Sequence, residues 1–164
     1  MEYVGQTNIK KFCNFYVSDL HLSVMLLPYI SKQVNEDVEI TTIFEKLEKK
    51  NIETILDKLN VKNKEKILNI NWFNTNKDTY ENIENTIDKS IRNNKKITII
   101  IGGDKKYNYE TSKNVTEHLK DINNSSIKII NCYNINEIGN DIKSIVKKYD
   151  GILNTSGEVK INTI

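Results

Sequence analysis

The chain reads as an α/β protein: a mostly parallel central sheet of about five strands, covered by helices on both faces as a three-layer sandwich, with a short hairpin at its C-terminal end. Three observations predict this. Apolar runs of strand length alternate with segments of helical periodicity along the whole chain. The run Ile97 to Ile101, ITIII, has no polar face beyond Thr98, as a central strand covered on both sides requires. A length of 164 residues, 38% hydrophobic and 28% charged, suits one globular domain with a substantial core. No internal repeat, low-complexity segment or second domain interrupts it, so residues 1–164 read as a single unit.

The elements follow in order. Phe12 to Val17 is a mostly apolar run of strand length, and helix signals continue from Asp19 to about Asn35. Pro28, the only proline, falls within that helix and is expected to kink it or to break one backbone bond. Val38 to Phe44 (VEITTIF) has the β-branched content of a strand. Asn51 to Leu59 predicts a short helix with Ile52, Ile55, Leu56 and Leu59 on one face, and Ile67 to Phe73 (ILNINWF) predicts the next strand. Thr79 reads as an N-cap, and Ile83, Ile87 and Ile91 form a helical stripe behind it. After the ITIII strand, Gly102-Gly103-Asp104 reads as a turn, followed by a helix from about Tyr109 to Asp121 and a loop at residues 123–126. Ile127 to Cys132 is a fifth strand. Ile138, Ile142, Ile145, Val146 and Tyr149 define a last helix, ended by Asp150-Gly151. The tail GILNTSGEVKI reads as two short strands around a Ser-Gly turn.

Composition excludes several function classes. Lys+Arg 24 against Asp+Glu 22 leaves a net charge of +2, and no stretch gathers a dense basic patch with interleaved aromatics, so direct nucleic-acid binding is not expected. The longest apolar runs are far too short to cross a bilayer. The first residues, MEYVGQTNIKK, lack the apolar core of a signal peptide, and a cytoplasmic location is expected. Cys13 and Cys132 each fall inside a strand and have no CxxC partner, which predicts buried thiols rather than a disulfide or a zinc site.

Two catalytic readings of the first strand-to-helix turn fail on their chemistry. Asp19-x-His21, Gly103-Asp104 and Gly139-Asn140-Asp141 echo the order of metal blocks in two-metal phosphoesterases, but such a site needs more histidine ligands than the two in the chain. A phosphate-cradling loop needs GxxxxGK[ST]; the turn here, Val17-Ser18-Asp19-Leu20-His21, has neither glycine nor lysine. Ser18 is placed to cap the helix, and Asp19 puts a carboxylate where a phosphate would sit, repelling it. The turn after the ITIII strand lacks the third glycine of a dinucleotide fingerprint. No metal and no cofactor is expected.

A set of ordered blocks carries a family resemblance. Phe12-Cys13-Asn14-Phe15-Tyr16, then Leu27-Pro28-Tyr29, Gly103-Asp104 and Asn131-Cys132-Tyr133 together resemble the MEDS domain, a sensory domain of methanogens and methylotrophs. The similarity spans roughly residues 4 to 150. It departs from the family pattern where a histidine precedes the cysteine block, since Lys11 stands there. The resemblance implies a RecA/KaiC-like fold that has lost the P-loop, and a sensor of small molecules coupled to a transcription regulator or a histidine kinase. With neither module in the sequence, the output is expected to pass to another protein in trans.

The functional expectation is therefore a non-enzymatic sensory or ligand-binding domain with its pocket at the C-terminal edge of the sheet, where open α/β sheets bind ligands. The candidate neighbourhood is Cys13, Tyr16, Ser18, Asp19, His21, Trp72, Asp104 and Tyr133. Tyr16, Trp72 and Tyr133 would supply apolar faces with one polar handle each; Asp19, His21 and Asp104 would orient the ligand. The residues do not name the ligand; the resemblance implies a small molecule of the hydrocarbon-derivative, apolar kind. Two alternatives stay open at this point: a degenerate nucleotide-binding or metal-dependent hydrolytic enzyme, and a pure protein-interaction module such as a homodimer.

Overall fold

Six strands lie parallel and a seventh turns back along them. The computed structural model describes residues 8–122 and 126–160; most of the loop expected at 123–126 lies outside them. The strands are β1 (Asn8–Tyr16), β2 (Glu39–Phe44), β3 (Asn71–Asn74), β4 (Ile97–Gly103), β5 (Ser126–Asn134), β6 (Gly151–Asn154) and β7 (Gly157–Lys160). They form one sheet in the order β3-β2-β4-β5-β1-β6-β7. All pairings are parallel except that of β6 with β7. The C-terminal hairpin is thus not an appendage: β6 pairs with β1 at Phe12 and Cys13 and extends the main sheet.

Between the strands run α1 (Asp19–Asn35), α2 (Lys49–Leu59), α3 (Lys64–Leu68), α4 (Tyr80–Arg92), α5 (Lys105–Leu119), α6 (Ile135–Ile138) and α7 (Ile142–Val146), with a 3-10 turn at Gly139–Asp141. The first three cover one face. Leu22, Leu26 and Ile30 of α1, Ile52 and Leu56 of α2 and Ile67 of α3 pack on Phe12, Ile40, Phe44, Ile100 and Ile130. On the opposite face, Ile83 and Ile87 of α4 and Val115 and Leu119 of α5 meet Ile43, Ile97, Ile99, Ile101, Ile127 and Ile129. Cys13, Tyr133, Ile138 and Ile145 extend that second layer under α6 and α7. The two-residue alternation within ITIII explains why one strand feeds both cores: Ile100 faces one layer, Ile99 and Ile101 the other. Each such isoleucine, fully buried, contributes about 1.5–3 kcal/mol.

Three local differences from the sequence reading have clear causes. Ile67 and Leu68 belong to α3, and the strand begins only at Asn71; a short apolar run does not reveal by periodicity whether it is a strand or a buried helical turn. The Trp72 indole N–H donates to the Ile67 carbonyl at 3.0 Å and fixes the reversal between them. At the end of β4, Gly102 and Gly103 remain in the strand, and α5 starts at Lys105 rather than near Tyr109, because Asp104 is its N-cap and accepts from the Tyr107 amide at 2.7 Å. The last helix is broken by Gly139, whose φ of 54° is left-handed, into α6, a 3-10 turn and α7. α1 runs uninterrupted from Asp19 to Asn35 through Pro28. Pro28 is exposed, so the carbonyl that loses its helical partner is on the solvent side.

Candidate functional site

The C-terminal edge of the sheet is where the connections diverge. α1 leaves β1 on one face, while α6 and α7 leave the neighbouring β5 on the other, which makes a topological switch point. The structure brings Tyr16, Ser18, Asp19, His21 and Asp104 to this edge. Several of its backbone donors are already used. The Val17 amide donates to His21 Nδ1 at 3.0 Å, and the His21 amide donates to Ser18 Oγ at 3.1 Å. One turn away, the Asp104 amide donates to Glu45 Oε1 at 3.3 Å. The first strand-to-helix turn thus spends two amides on its own side chains, and the turn after β4 spends one on Glu45, from the connection after β2.

The charge of the edge points the same way. Burial raises the Tyr16 phenol well above its ordinary value, and the Cys132 thiol and the carboxylates of Asp19, Glu137 and Glu45 add to the rise. The three carboxylates thus add a negative field to the effect of burial at this hydroxyl. Among the described residues, no group of three or more His, Cys, Asp and Glu side chains is arranged to hold a metal ion.

Of the other candidate residues, Trp72 and Cys13 lie elsewhere, and Tyr133 stands at the same strand ends, in register with Phe15 and Gly103. Trp72 is on β3, four places from β1 in the sheet order, with its ring stacked on Phe44 at a centroid distance of 6.4 Å and 19° between planes. Cys13 is buried inside β1, where its thiol donates weakly to the Gly151 carbonyl at 3.8 Å and burial pushes its pKa up to about 12. Cys132 is likewise buried and raised, and both cysteines are free. Tyr133 turns onto the second face of the sheet, where its hydroxyl lies 2.6 Å from that of Tyr149. His118, the second histidine of the chain, ties α5 to α4 by its Nε2 at 2.8 Å from Asp88 and its Nδ1 at 3.6 Å from Glu84.

Tyr133 leads to a crevice that the sequence did not single out. It has a volume of about 370 Å³ and lies between α5 and α7, above β5 and β1. Its floor is polar and buried. Asn131, 1% exposed, donates from Nδ2 to Asn108 Oδ1 at 2.9 Å and to Ser112 Oγ at 2.7 Å. Asn108, itself fully buried, donates to the carbonyls of Gly103, Asp104 and Cys132 at 2.9–3.1 Å. Ile145 and the rings of Tyr109, Tyr133 and Tyr149 form the walls, together with Thr116, whose hydroxyl is buried without a partner among the described residues. Lys11, Lys105, Lys113 and Lys148 stand around the crevice against one carboxylate, Glu117. Lys11 is the residue that departs from the MEDS pattern. Burial raises the Tyr133 and Tyr149 phenols above their ordinary values, so both stay protonated near neutral pH.

Two larger hollows, of about 590 and 530 Å³, lie along α1. The first is a groove edged by Leu27, Pro28, Leu59 and Val61 with no buried polar side chain among its lining residues. The second holds the Lys128–Glu158 ion pair, which is already satisfied within the chain. Size alone favours these grooves; convergent buried polar groups favour the α5–α7 crevice, as small-ligand sites require. No helix among the described residues is long and apolar enough to cross a membrane. In comparison with known proteins, no family model and no curated protein matches the chain.

Proposed function

We propose that the chain is a non-enzymatic sensory domain of the kind the MEDS resemblance implies, binding a small molecule and passing its state to a regulator in trans. The observation that carries this reading is the closed first turn: the Val17 and His21 amides are spent on His21 Nδ1 and Ser18 Oγ, with Asp19 beside them. A nucleotide-hydrolysing relative of this scaffold would need those N–H groups for phosphate. The binding site then moves from the strand edge to the second face, where Tyr133, Tyr149, Asn131 and Ser112 surround an open crevice.

Native mass spectrometry of the full chain, after incubation with a small-molecule extract, tests the proposal. A retained compound, lost in Tyr133→Ala or in the crevice-filling Ser112→Trp, is the expected result. A ligand at one hundred times its Kd stabilises the fold by about 2.7 kcal/mol, which a thermal shift reads independently. Turnover of MgATP that disappears in Asp19→Ala and Asp104→Ala would overturn it in favour of a degenerate nucleotide enzyme.

A further inference from the structure

The polar groups around the α5–α7 crevice are unbalanced in one direction. Tyr133 and Tyr149 share one hydrogen bond between two hydroxyls, so one phenolic proton remains to be donated. Ser112 Oγ accepts from Asn131, which leaves its own proton for another acceptor. At the rim, Lys105 is held by Asp141 at 2.7 Å and Glu117 by Lys120 at 2.9 Å. Lys11, Lys113 and Lys148 make no ion pair with a described residue, although Lys113 lies near enough to Glu117 to help lower its carboxyl. The crevice thus offers more donors and positive charge than acceptors, the latter being chiefly the Glu117 carboxylate and Asn131 Oδ1, which accepts from no described residue. Its walls are flat and apolar.

We infer that this crevice takes a small organic carboxylate carrying one planar ring. This rests on the reading of the crevice as the sensor's ligand site, and it replaces the apolar ligand that the resemblance implies with an anionic one. The carboxylate is the acceptor that the tyrosine pair and Ser112 lack, and it answers the charge of Lys11 and Lys148; the ring suits the walls of Tyr109 and Ile145. At about 370 Å³ the space lies at the small end of ligand pockets, which run from about 300 to 1,000 Å³. A phosphate monoester is the weaker fit, because the helix N-terminus that reaches the crevice, at Lys105 of α5, already carries the Asp104 carboxylate as its cap.

The test uses the full chain, labelled for amide resonances, titrated with benzoate, salicylate and trans-cinnamate and with the matched primary amides. At least one carboxylate is expected to shift the side-chain amide signals of Asn131 and Asn108, and to bind more weakly as salt rises. The double variant Lys11→Gln/Lys148→Gln should weaken that binding by about tenfold, since each removes one long-range attraction to the anion. Both lysines reach solvent at the rim, and circular dichroism checks that the variant is folded. An amide that binds as tightly as its acid overturns the anionic class and leaves the site standing. If no acid or amide moves the crevice signals, the class fails. The native mass spectra then decide the rest: a retained compound lost in Ser112→Trp keeps the site, and none retained removes both.

Discussion

The Val17 amide donates to the imidazole of His21, at 3.0 Å, across the first turn of α1. Together with the Ser18 cap it closes the strand-to-helix junction with side chains from the same five-residue bend. Ser18→Ala is expected to lower stability by about 1 kcal/mol, the usual cost of losing an N-cap acceptor. Urea unfolding gives the figure. Inorganic phosphate at millimolar concentration should raise the midpoint of neither protein, and a phosphate-dependent rise in the wild type would contradict the closed turn.

Asn108 ties the start of α5 to two strands at once, through the carbonyls of Gly103, Asp104 and Cys132. Asn108→Ala removes the side-chain donor to the buried Gly103 and Cys132 carbonyls and one of the two acceptors of the Asn131 amide, each buried loss costing about 1–3 kcal/mol. The expected loss is at the upper end of single substitutions, about 3 kcal/mol or more. Denaturant unfolding with an unchanged slope reads it directly; a loss below about 1 kcal/mol would mean that water replaces the amide.

Gly103 is required by the approach of Tyr107. A Cβ at residue 103 would stand 2.4 Å from the Tyr107 ring, and the Tyr107 hydroxyl lies 2.7 Å from Thr75 Oγ1. Gly103→Ala is expected to push the ring aside and to break that link between the β3 end and α5. Loss of the Tyr107 contact with the residue 75 region, in nuclear Overhauser spectra, checks it, while Tyr107→Ala in the same background should recover part of the lost stability.

The two thiols should be inert in the folded chain. Burial pushes Cys13 up to about 12 and raises Cys132 as well, so the reactive thiolate is scarce near neutral pH. Labelling by iodoacetamide at pH 8 is expected to follow global unfolding, with both cysteines modified together. Fast labelling of either one in native buffer would show a local opening of β1 or β5.

Glu158 of β7 accepts from Tyr29 of α1 at 2.7 Å and pairs with Lys128 of β5, whose ammonium sits 5.5 Å from the Phe12 ring centroid. Burial pushes the Glu158 carboxyl up, but the hydrogen bonds from Lys128 and Tyr29 prevail and hold it below its ordinary value of 4.5. A lowered folded value stabilises the fold above the unfolded carboxyl range, and that stability is lost as pH falls through the folded value. Wild type and Glu158→Gln should therefore differ most above about pH 5 and converge in acid. Midpoints of urea unfolding between about pH 3 and 7 read the difference, and parallel profiles would discount the pair.

Most of the fold was legible because the apolar pattern is strong where it matters. ITIII could only be a strand covered on both sides, and the Ile83, Ile87, Ile91 stripe placed α4 without help from tertiary contacts. ILNINWF misled because its first half is buried by α1 and α2 rather than by neighbouring strands, and seven residues cannot carry that distinction. The strand edge was found from Ser18, Asp19 and Asp104, whose capping roles are local. The crevice was not, because Asn108, Ser112 and Tyr109 are ordinary polar positions of an amphipathic helix until β5 is placed beneath them. A buried asparagine on β5, Asn131 amid the apolar run IKIINC, was the one signal in the sequence that could have pointed there.

The borders of the sheet have a consequence for assembly. As described, β3 and β7 are four residues long, and the first amide beyond Phe73, that of Asn74, is already claimed by the Asp78 carboxylate at 2.9 Å. An incoming strand would find too short a ladder to join at the β3 rim, a common safeguard against runaway stacking. Copies of the chain that meet one another are therefore not expected to do so by adding strands beside β3.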